Sequence, residues 1–96
     1  MANYELSNKA DEDLTEIYTF SYNRFGELKA DAYLLALEEC FSMLMEQPLL
    51  GRKIDNIRAG YLQYAHTRHS IFYVLKEDGI LIQRVLHQSM DSKRHL

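Results

Sequence analysis

Apolar and polar residues follow two different periods along the chain, helical in the first half and strand-like in the second. Residues 3–7 alternate briefly, which predicts a short first strand. From Ser7 the period becomes helical, and Ser7 is well placed to cap a helix that ends at Gly26. Near its positive end this helix carries Asp11, Glu12 and Asp13, where acidic groups are favourable. Its apolar face consists of Ala10, Leu14, Ile17, Tyr18, Ser21 and Phe25.

A second helix is predicted from Glu27 to Gln47, and its apolar arc is unusually wide. The main stripe consists of Ala30, Tyr33, Leu34, Leu37, Phe41, Leu44 and Met45, and the arc is widened by Ala32, Leu35, Ala36, Cys40 and Met43. A helix this apolar must contact more than one neighbour. Pro48 and Gly51 end it, and the two helices joined at Gly26 are predicted to form an antiparallel hairpin.

Beyond an irregular connection over residues 48–60, three β-prone runs span residues 61–67, 70–76 and 80–87. The last two are joined by a predicted hairpin turn, Glu77-Asp78-Gly79. Strict alternation on the last strand places Ile80, Ile82, Arg84 and Leu86 on one face and Leu81, Gln83, Val85 and His87 on the other.

Neither face of that last strand is cleanly polar, yet a helical hairpin covers only one side of a sheet. The other side is therefore expected to be partly apolar and available to a ligand or protein. The alternative is that a small edge region folds over it. The polar residues 88–96 are expected to be loose at their end.

Length and composition predict one α+β domain over residues 1–96, with 47% hydrophobic residues to build a small core. No leader pattern and no apolar run near about 18 residues is present, so a cytoplasmic protein without membrane contact is expected. A single cysteine, Cys40, excludes an internal disulfide and a multi-cysteine zinc site.

The net charge of −3 is unevenly distributed. Residues 1–48 hold three basic and ten acidic side chains, whereas residues 49–96 hold eight basic and four acidic ones. This pattern suits either an acidic solvated helix face beside an ordinary sheet, or a mildly basic surface that meets an acidic partner or nucleic acid. A protein that depends on phosphate contacts for affinity is expected to be far more positive overall.

Few residues suggest catalysis or metal binding. His66 and His69 have chelating spacing, but residues three apart on a strand face opposite sides, and a turn there would still lack a third ligand. Cys40 is predicted to be a core hydrophobe, because its helix offers only acidic neighbours. Arg84 and His87 are the remaining candidates, joined by Arg58, Arg68 and His69 if these converge. Such a cluster could cleave RNA or receive acidic groups of a partner.

The sequence resembles the RelE/ParE toxin superfamily, and its ParE branch best. The resemblance is carried by Arg58-Ala59-Gly60-Tyr61, by His69-Ser70-Ile71-Phe72-Tyr73 and by Ile82-Gln83-Arg84-Val85-Leu86-His87-Gln88-Ser89-Met90-Asp91, closing with His95-Leu96. A weaker pattern from Ser7 to Gly51 extends it over nearly the whole chain. One departure is Leu62, where many relatives carry arginine.

The resemblance implies a helical hairpin packed on a mostly antiparallel sheet, in the toxin of a bacterial type II toxin–antitoxin pair. It implies neutralisation by a ParD-like ribbon-helix-helix antitoxin and DNA gyrase as the target, with no catalytic residue, metal or cofactor. Direct nucleic-acid binding is not expected except through the antitoxin. Partner contacts are expected at Arg58, Tyr61, Arg68, Arg84, His87, Met90, Asp91, Lys93 and Arg94.

Two alternatives remain from the sequence. RelE-branch members cut messenger RNA on the ribosome with a lysine- and arginine-rich site, and no lysine cluster accompanies His87 here. The other alternative is an interaction domain that is no longer toxic. Residues 84–96 are predicted to leave the sheet edge and contact the target, unless His95 and Leu96 fold back onto the sheet.

Overall fold

The computed structural model describes residues 3–96, which form a five-stranded sheet covered on one face by two long helices. In chain order the elements are β1 (Asn3–Leu6), α1 (Asn8–Phe25), α2 (Glu27–Glu46), a 3-10 turn (Pro48–Leu50), β2 (Arg52–Lys53), β3 (Tyr61–His66), β4 (His69–Lys76), β5 (Gly79–His87) and α3 (Ser92–His95). The strand order is β1-β5-β4-β3-β2, and only β1 and β5 are parallel. The predicted α+β architecture is confirmed. Within residues 3–96, neither long helix is apolar enough to cross a membrane.

The helix ends form where the capping residues predict them. Ser7 lies just before α1 and its Oγ accepts the Ala10 N–H at 3.0 Å. Gly26 separates α1 from α2 with φ of 90°, a conformation that a residue with a Cβ adopts only with strain. The strand β2 was not predicted, because two exposed residues carry no periodic signal.

The main core lies between the helical hairpin and the sheet. Tyr73, at its centre, is completely buried, and its hydroxyl donates to the Pro48 carbonyl at 2.7 Å and accepts the Gly51 N–H at 2.9 Å. These bonds attach the end of α2 to the sheet. The other fully enclosed members of the main core are Ala10, Leu37, Phe41, Leu44, Ile71 and Ile82.

A register shift in β5 changes which residues share a face. Phe72 lies opposite Arg84 while Tyr73 lies opposite Ile82, so Gln83 is an extra residue in the ladder. Val85 therefore joins the main core, and Leu86 packs on the opposite face with Phe72. The predicted grouping of Ile80, Ile82, Arg84 and Leu86 on one face is wrong beyond Ile82 for this reason.

The face of the sheet away from the helices, the back face, has a small core of its own. Ile54, Phe72 and Leu86 are buried there, and Ile57, Tyr61 and Leu96 pack against them. The connection over residues 54–60 and the end of the chain thus cover this face in part, which reduces the apolar surface expected there. The expectation of a loose C-terminus is also corrected, because α3 forms and the Leu96 side chain docks on the sheet.

We expect Gly79→Ala to lower the free energy of unfolding by about 1–3 kcal/mol, the usual range for forcing an extra methyl into a filled space. A Cβ at Gly79 would collide with the backbone of Asn3, its partner in β1. Thermal unfolding followed by circular dichroism measures the effect, with a change of roughly 4–8 °C expected per kcal/mol. Asp78→Ala, at the exposed neighbouring turn residue, is the control. Equal melting temperatures for the two variants would contradict the close β1–β5 packing.

Candidate protein-binding groove

A groove of about 840 Å³ lies between α1 and residues 88–96, beside the end of β5. It exists because β1 pairs only with Gly79–Ile82, which leaves the rest of β5 without a neighbouring strand on that side. Phe20, Phe25 and Met90 line it while remaining 58%, 48% and 41% exposed. Large apolar side chains exposed around a concave surface are typical of interaction sites. The other apolar lining residues are Ile17, Tyr33, Val85 and Leu86.

Ser7, which caps α1, and Asp13 within α1 bind the free edge of β5. The Ser7 N–H donates to the Ile82 carbonyl at 2.9 Å, and the Ser7 hydroxyl donates to the Gln83 carbonyl at 2.8 Å. Six residues further along, Asp13 Oδ2 accepts the Val85 N–H at 3.0 Å. These contacts satisfy backbone groups that a neighbouring strand would otherwise pair.

Asp13 and Arg84 form a nearly buried ion pair at the base of the groove. Their side chains are only 10% and 15% exposed. Arg84 Nε donates to Asp13 Oδ2 at 2.8 Å and Nη2 donates to Oδ1 at 2.9 Å, a bidentate arrangement. Nη1 donates to the His95 carbonyl at 3.1 Å. The hydrogen bonds with Asp13 raise the pKa of Arg84, which keeps the guanidinium charged.

Three histidines and a tyrosine meet at the hairpin end of the groove. The Tyr33 hydroxyl lies 2.6 Å from His69 Nδ1 and 2.8 Å from Thr67 Oγ1. The rings of His69 and His87 are 5.4 Å apart and nearly perpendicular. A tight turn at Thr67, whose φ is 47°, places His66 directly opposite His69. The expectation that His66 and His69 face opposite sides is therefore wrong.

Burial, and after it the neighbouring His87, His66 and Arg68 in that order of effect, together lower the pKa of His69 to about 4. A neutral imidazole at pH 7 hydrogen-bonds to Tyr33 without adding charge to the groove. His69 is therefore not available as a proton donor near neutral pH. No group of three or more metal-ligating side chains lies close enough to hold a metal ion anywhere within residues 3–96.

Cys40 is buried in the main core, as predicted, but it has a basic neighbour that the sequence did not reveal. His66 Nδ1 lies 3.4 Å from its Sγ. Burial raises the pKa of the Cys40 thiol, and the charge of Glu39 adds to this. A protonated, enclosed thiol is a poor nucleophile, so the contact contributes to packing.

A family model described as ParE toxin of type II toxin–antitoxin system, parDE, matches residues 4–92 of the chain. The chain belongs to the ParE toxin family. It is 39% identical over 98 residues to Toxin ParE1 of Caulobacter vibrioides, covering 100% of this chain and 99% of that protein. It is 37% identical over 94 residues to Toxin ParE1 of Mycobacterium tuberculosis, covering 97% and 96%.

Among solved structures, a chain from the chromosomal ParDE TA system of P. aeruginosa has the same fold. The TM-score is 0.78 at 21% sequence identity, and the match covers 91% of this chain and 96% of that chain. The shared architecture shows that the helical hairpin on a five-stranded sheet is the fold of this ParE-family protein.

The structure divides the residues expected to contact partners among three parts of the ParE fold. Arg68, Arg84, His87 and Met90 line the groove, although Arg84 is engaged with Asp13. On the back face, the guanidinium of Arg58 stacks on Tyr61 and donates to the Leu96 carbonyl at 2.7 Å. The short helix α3 holds the remaining three, with Asp91 capping it and Lys93 and Arg94 exposed.

Sequence reasoning missed two residues that shape the ParE-family groove. Asp13 was considered only for its place near a helix end, yet it follows Ala10 by three residues and so shares the buried face of α1. Phe20 lies outside the predicted apolar face, and a large aromatic residue on an otherwise polar helix surface was its available signal.

We expect the free energy of unfolding to fall as the pH drops from 6.5 towards about 4, the ordinary and folded pKa values of His69. Between pH 6.5 and about 4, His69 is protonated in the unfolded chain but neutral in the folded chain, so unfolding becomes more favourable as the pH falls. Above this range the full stability is present, and below it His69 causes no further loss of stability. The loss should be about 1–2 kcal/mol, since solvent screens a half-buried ring.

Proton NMR titration of His69 and thermal melts at several pH values test this expectation. His69→Gln should flatten the dependence, whereas His95→Gln, at an exposed position, should not. Titration of the His69 ring near pH 6.5 would show that its neutral state is not enforced by the fold.

Proposed function

We propose that this protein is a toxin silenced by a ParD-like ribbon-helix-helix antitoxin and that, when free in the bacterial cytoplasm, it acts on DNA gyrase by binding. The observation that carries the proposal is the apolar groove between α1 and residues 88–96. The proposal also draws on the ParE family and on the ParDE system to which the structural relative belongs.

The groove is suited to receive a segment of another protein. Phe20 and Phe25 stand on its α1 wall and Met90 on the opposite side, so a bound segment would remove apolar surface on both flanks from water. Complete burial of one such side chain is worth about 1.5–3 kcal/mol. Of the basic lining residues, Lys29 and Arg68 form no ion pair within the described residues 3–96, and they would favour an acidic partner segment.

Gyrase is proposed from the ParE branch that the sequence resembles, and a protein target agrees with the charge of the chain. The net charge of −3 is unfavourable for a protein whose affinity depends on phosphate contacts. We accordingly place nucleic-acid contact in the antitoxin and not in this chain.

The chemistry of the groove supports binding over catalysis. The Arg84 guanidinium is already hydrogen-bonded to Asp13 and to the His95 carbonyl, so it has little capacity to hold a phosphate. His69 is neutral and hydrogen-bonded to Tyr33. One observation favours RNA cleavage as a second candidate, namely the 5.4 Å spacing of the His69 and His87 rings in an open groove beside Arg68.

We expect Phe20→Ser to weaken antitoxin binding at least tenfold and to leave the melting temperature nearly unchanged, because Phe20 is 58% exposed on the groove wall. Leu35→Ser is a matched control, since Leu35 is 57% exposed but does not line the groove. The antitoxin used is the ribbon-helix-helix protein encoded beside the toxin gene, and isothermal titration calorimetry measures its affinity. Equal loss of affinity in both variants would place the antitoxin elsewhere.

We expect induced expression without antitoxin to arrest growth with a DNA-damage response and with translation intact. Purified protein should not cleave messenger RNA on translating ribosomes. Expression of His87→Ala beside the unsubstituted protein separates the two candidates. Site-specific RNA cleavage that disappears in His87→Ala would establish the ribonuclease and reject the binding mechanism.

A further inference from the structure

Arg84 spans the groove at its base. On one side it is bound to Asp13 of α1, which carries one wall. On the other it donates from Nη1 to the main-chain carbonyl of His95, a residue of the opposite wall. Three of the five guanidinium N–H groups are thereby used within the described part of the chain, which favours an internal role for this side chain over direct partner recognition.

The opposite wall, residues 88–96, is attached mainly at its two ends. At its start the Gln88 N–H donates to the Arg68 carbonyl at 2.8 Å, and the Ser89 N–H donates to His87 Nδ1 at 3.1 Å. The Met90 N–H donates to the His87 carbonyl at 2.9 Å, which fixes the turn out of β5. The far end is attached to the back face by the Leu96 side chain and by Arg58, which donates to the Leu96 carbonyl at 2.7 Å. Between these points, the Arg84–His95 contact joins the segment to the base of the groove.

We infer that Arg84 is a positioning residue that sets the width of the groove, by tying residues 88–96 to α1 through Asp13. A rigid guanidinium fork can hold a carboxylate and a third acceptor at fixed spacing, whereas a lysine ammonium on a flexible stem cannot reproduce that geometry. This inference rests on the proposed function, in which the groove receives a partner protein. It adds that partner affinity depends on a residue the partner does not touch.

The first test is Arg84→Lys, which retains a positive charge facing Asp13 and loses the fork. A second variant, Asp13→Asn with Arg84→Gln, removes both charges together, so that neither is left buried and unpaired. Native trypsin cleavage after Lys93 and Arg94, followed by mass spectrometry, reports release of residues 88–96. We expect cleavage there to accelerate at least tenfold while cleavage after Arg52 and Lys53 is unchanged.

Two further variants serve as matched comparisons. His95→Ala keeps the main-chain carbonyl that Arg84 binds, so its cleavage rate should equal that of the unsubstituted protein. Leu96→Ala removes the apolar part of the attachment at the far end and leaves the Asp13–Arg84 pair intact. It should weaken antitoxin binding about as much as Arg84→Lys, by tenfold or more, and the double variant should lose less than the two losses combined.

The outcomes separate the inference from the proposed function. Selective cleavage at Lys93 and Arg94, together with a non-additive loss of antitoxin affinity, supports the positioning role of Arg84. Cleavage that rises equally at all sites shows only a stability role for Arg84 and overturns the inference. Faster cleavage within residues 88–96 with unchanged antitoxin affinity overturns it as well. If the unsubstituted protein does not bind the antitoxin, the proposed function is wrong, and the positioning role is rejected with it.

Discussion

A buried carboxylate takes the place of a missing strand, and the arrangement of this molecule depends on it. β1 ends at Leu6, so β5 continues past it with an unpaired edge. Asp13 accepts the Val85 N–H and holds Arg84, which fixes α1 against the sheet at the point where strand pairing stops. A buried ion pair adds little stability compared with apolar packing, but loss of one partner is costly. The pair therefore specifies the position of α1 more than it stabilises the fold.

The same shortening of β1 creates the groove. A longer β1 would occupy the edge of β5 and leave no space between α1 and residues 88–96. An unpaired strand edge beside exposed aromatic residues invites uncontrolled association. Here the edge is blocked by Ser7 and Asp13, which use its backbone groups at three positions. The side chains of the groove remain exposed while these three backbone groups are already bonded, and such a surface favours binding by side-chain complementarity.

Periodic elements could be predicted from the sequence, whereas contacts that depend on irregular backbone could not. A local signal repeats several times along each of the two helices and the three long strands. The Glu77–Gly79 turn has a recognisable turn sequence of its own. No local pattern predicts the extra residue at Gln83. Because of it, Val85 and Leu86 each lie on the opposite face of the sheet from the one expected. The groove inherits this difficulty, because its walls come from α1 and from a C-terminal segment held by scattered contacts, such as those of Arg84 and Leu96, that carry no periodic signal. The wide apolar arc of α2 nevertheless indicated correctly that this helix has several neighbours.

In one groove, exposed apolar surface lies beside polar groups that are already hydrogen-bonded, which supports the binding role proposed above. Catalytic sites hold groups whose pKa values lie near the working pH, with donors free to meet developing charge. In this groove the pKa of His69 is about 4, and the guanidinium of Arg84 is engaged on both sides. Cys40, outside the groove, has its thiol pKa raised by burial. The groove also presents aromatic and aliphatic surface beside Lys29 and Arg68, with Glu16 on the α1 wall and His87 at the end of β5. Surface of this kind gains free energy when a complementary protein excludes water from it, and that gain requires no bond to be made or broken.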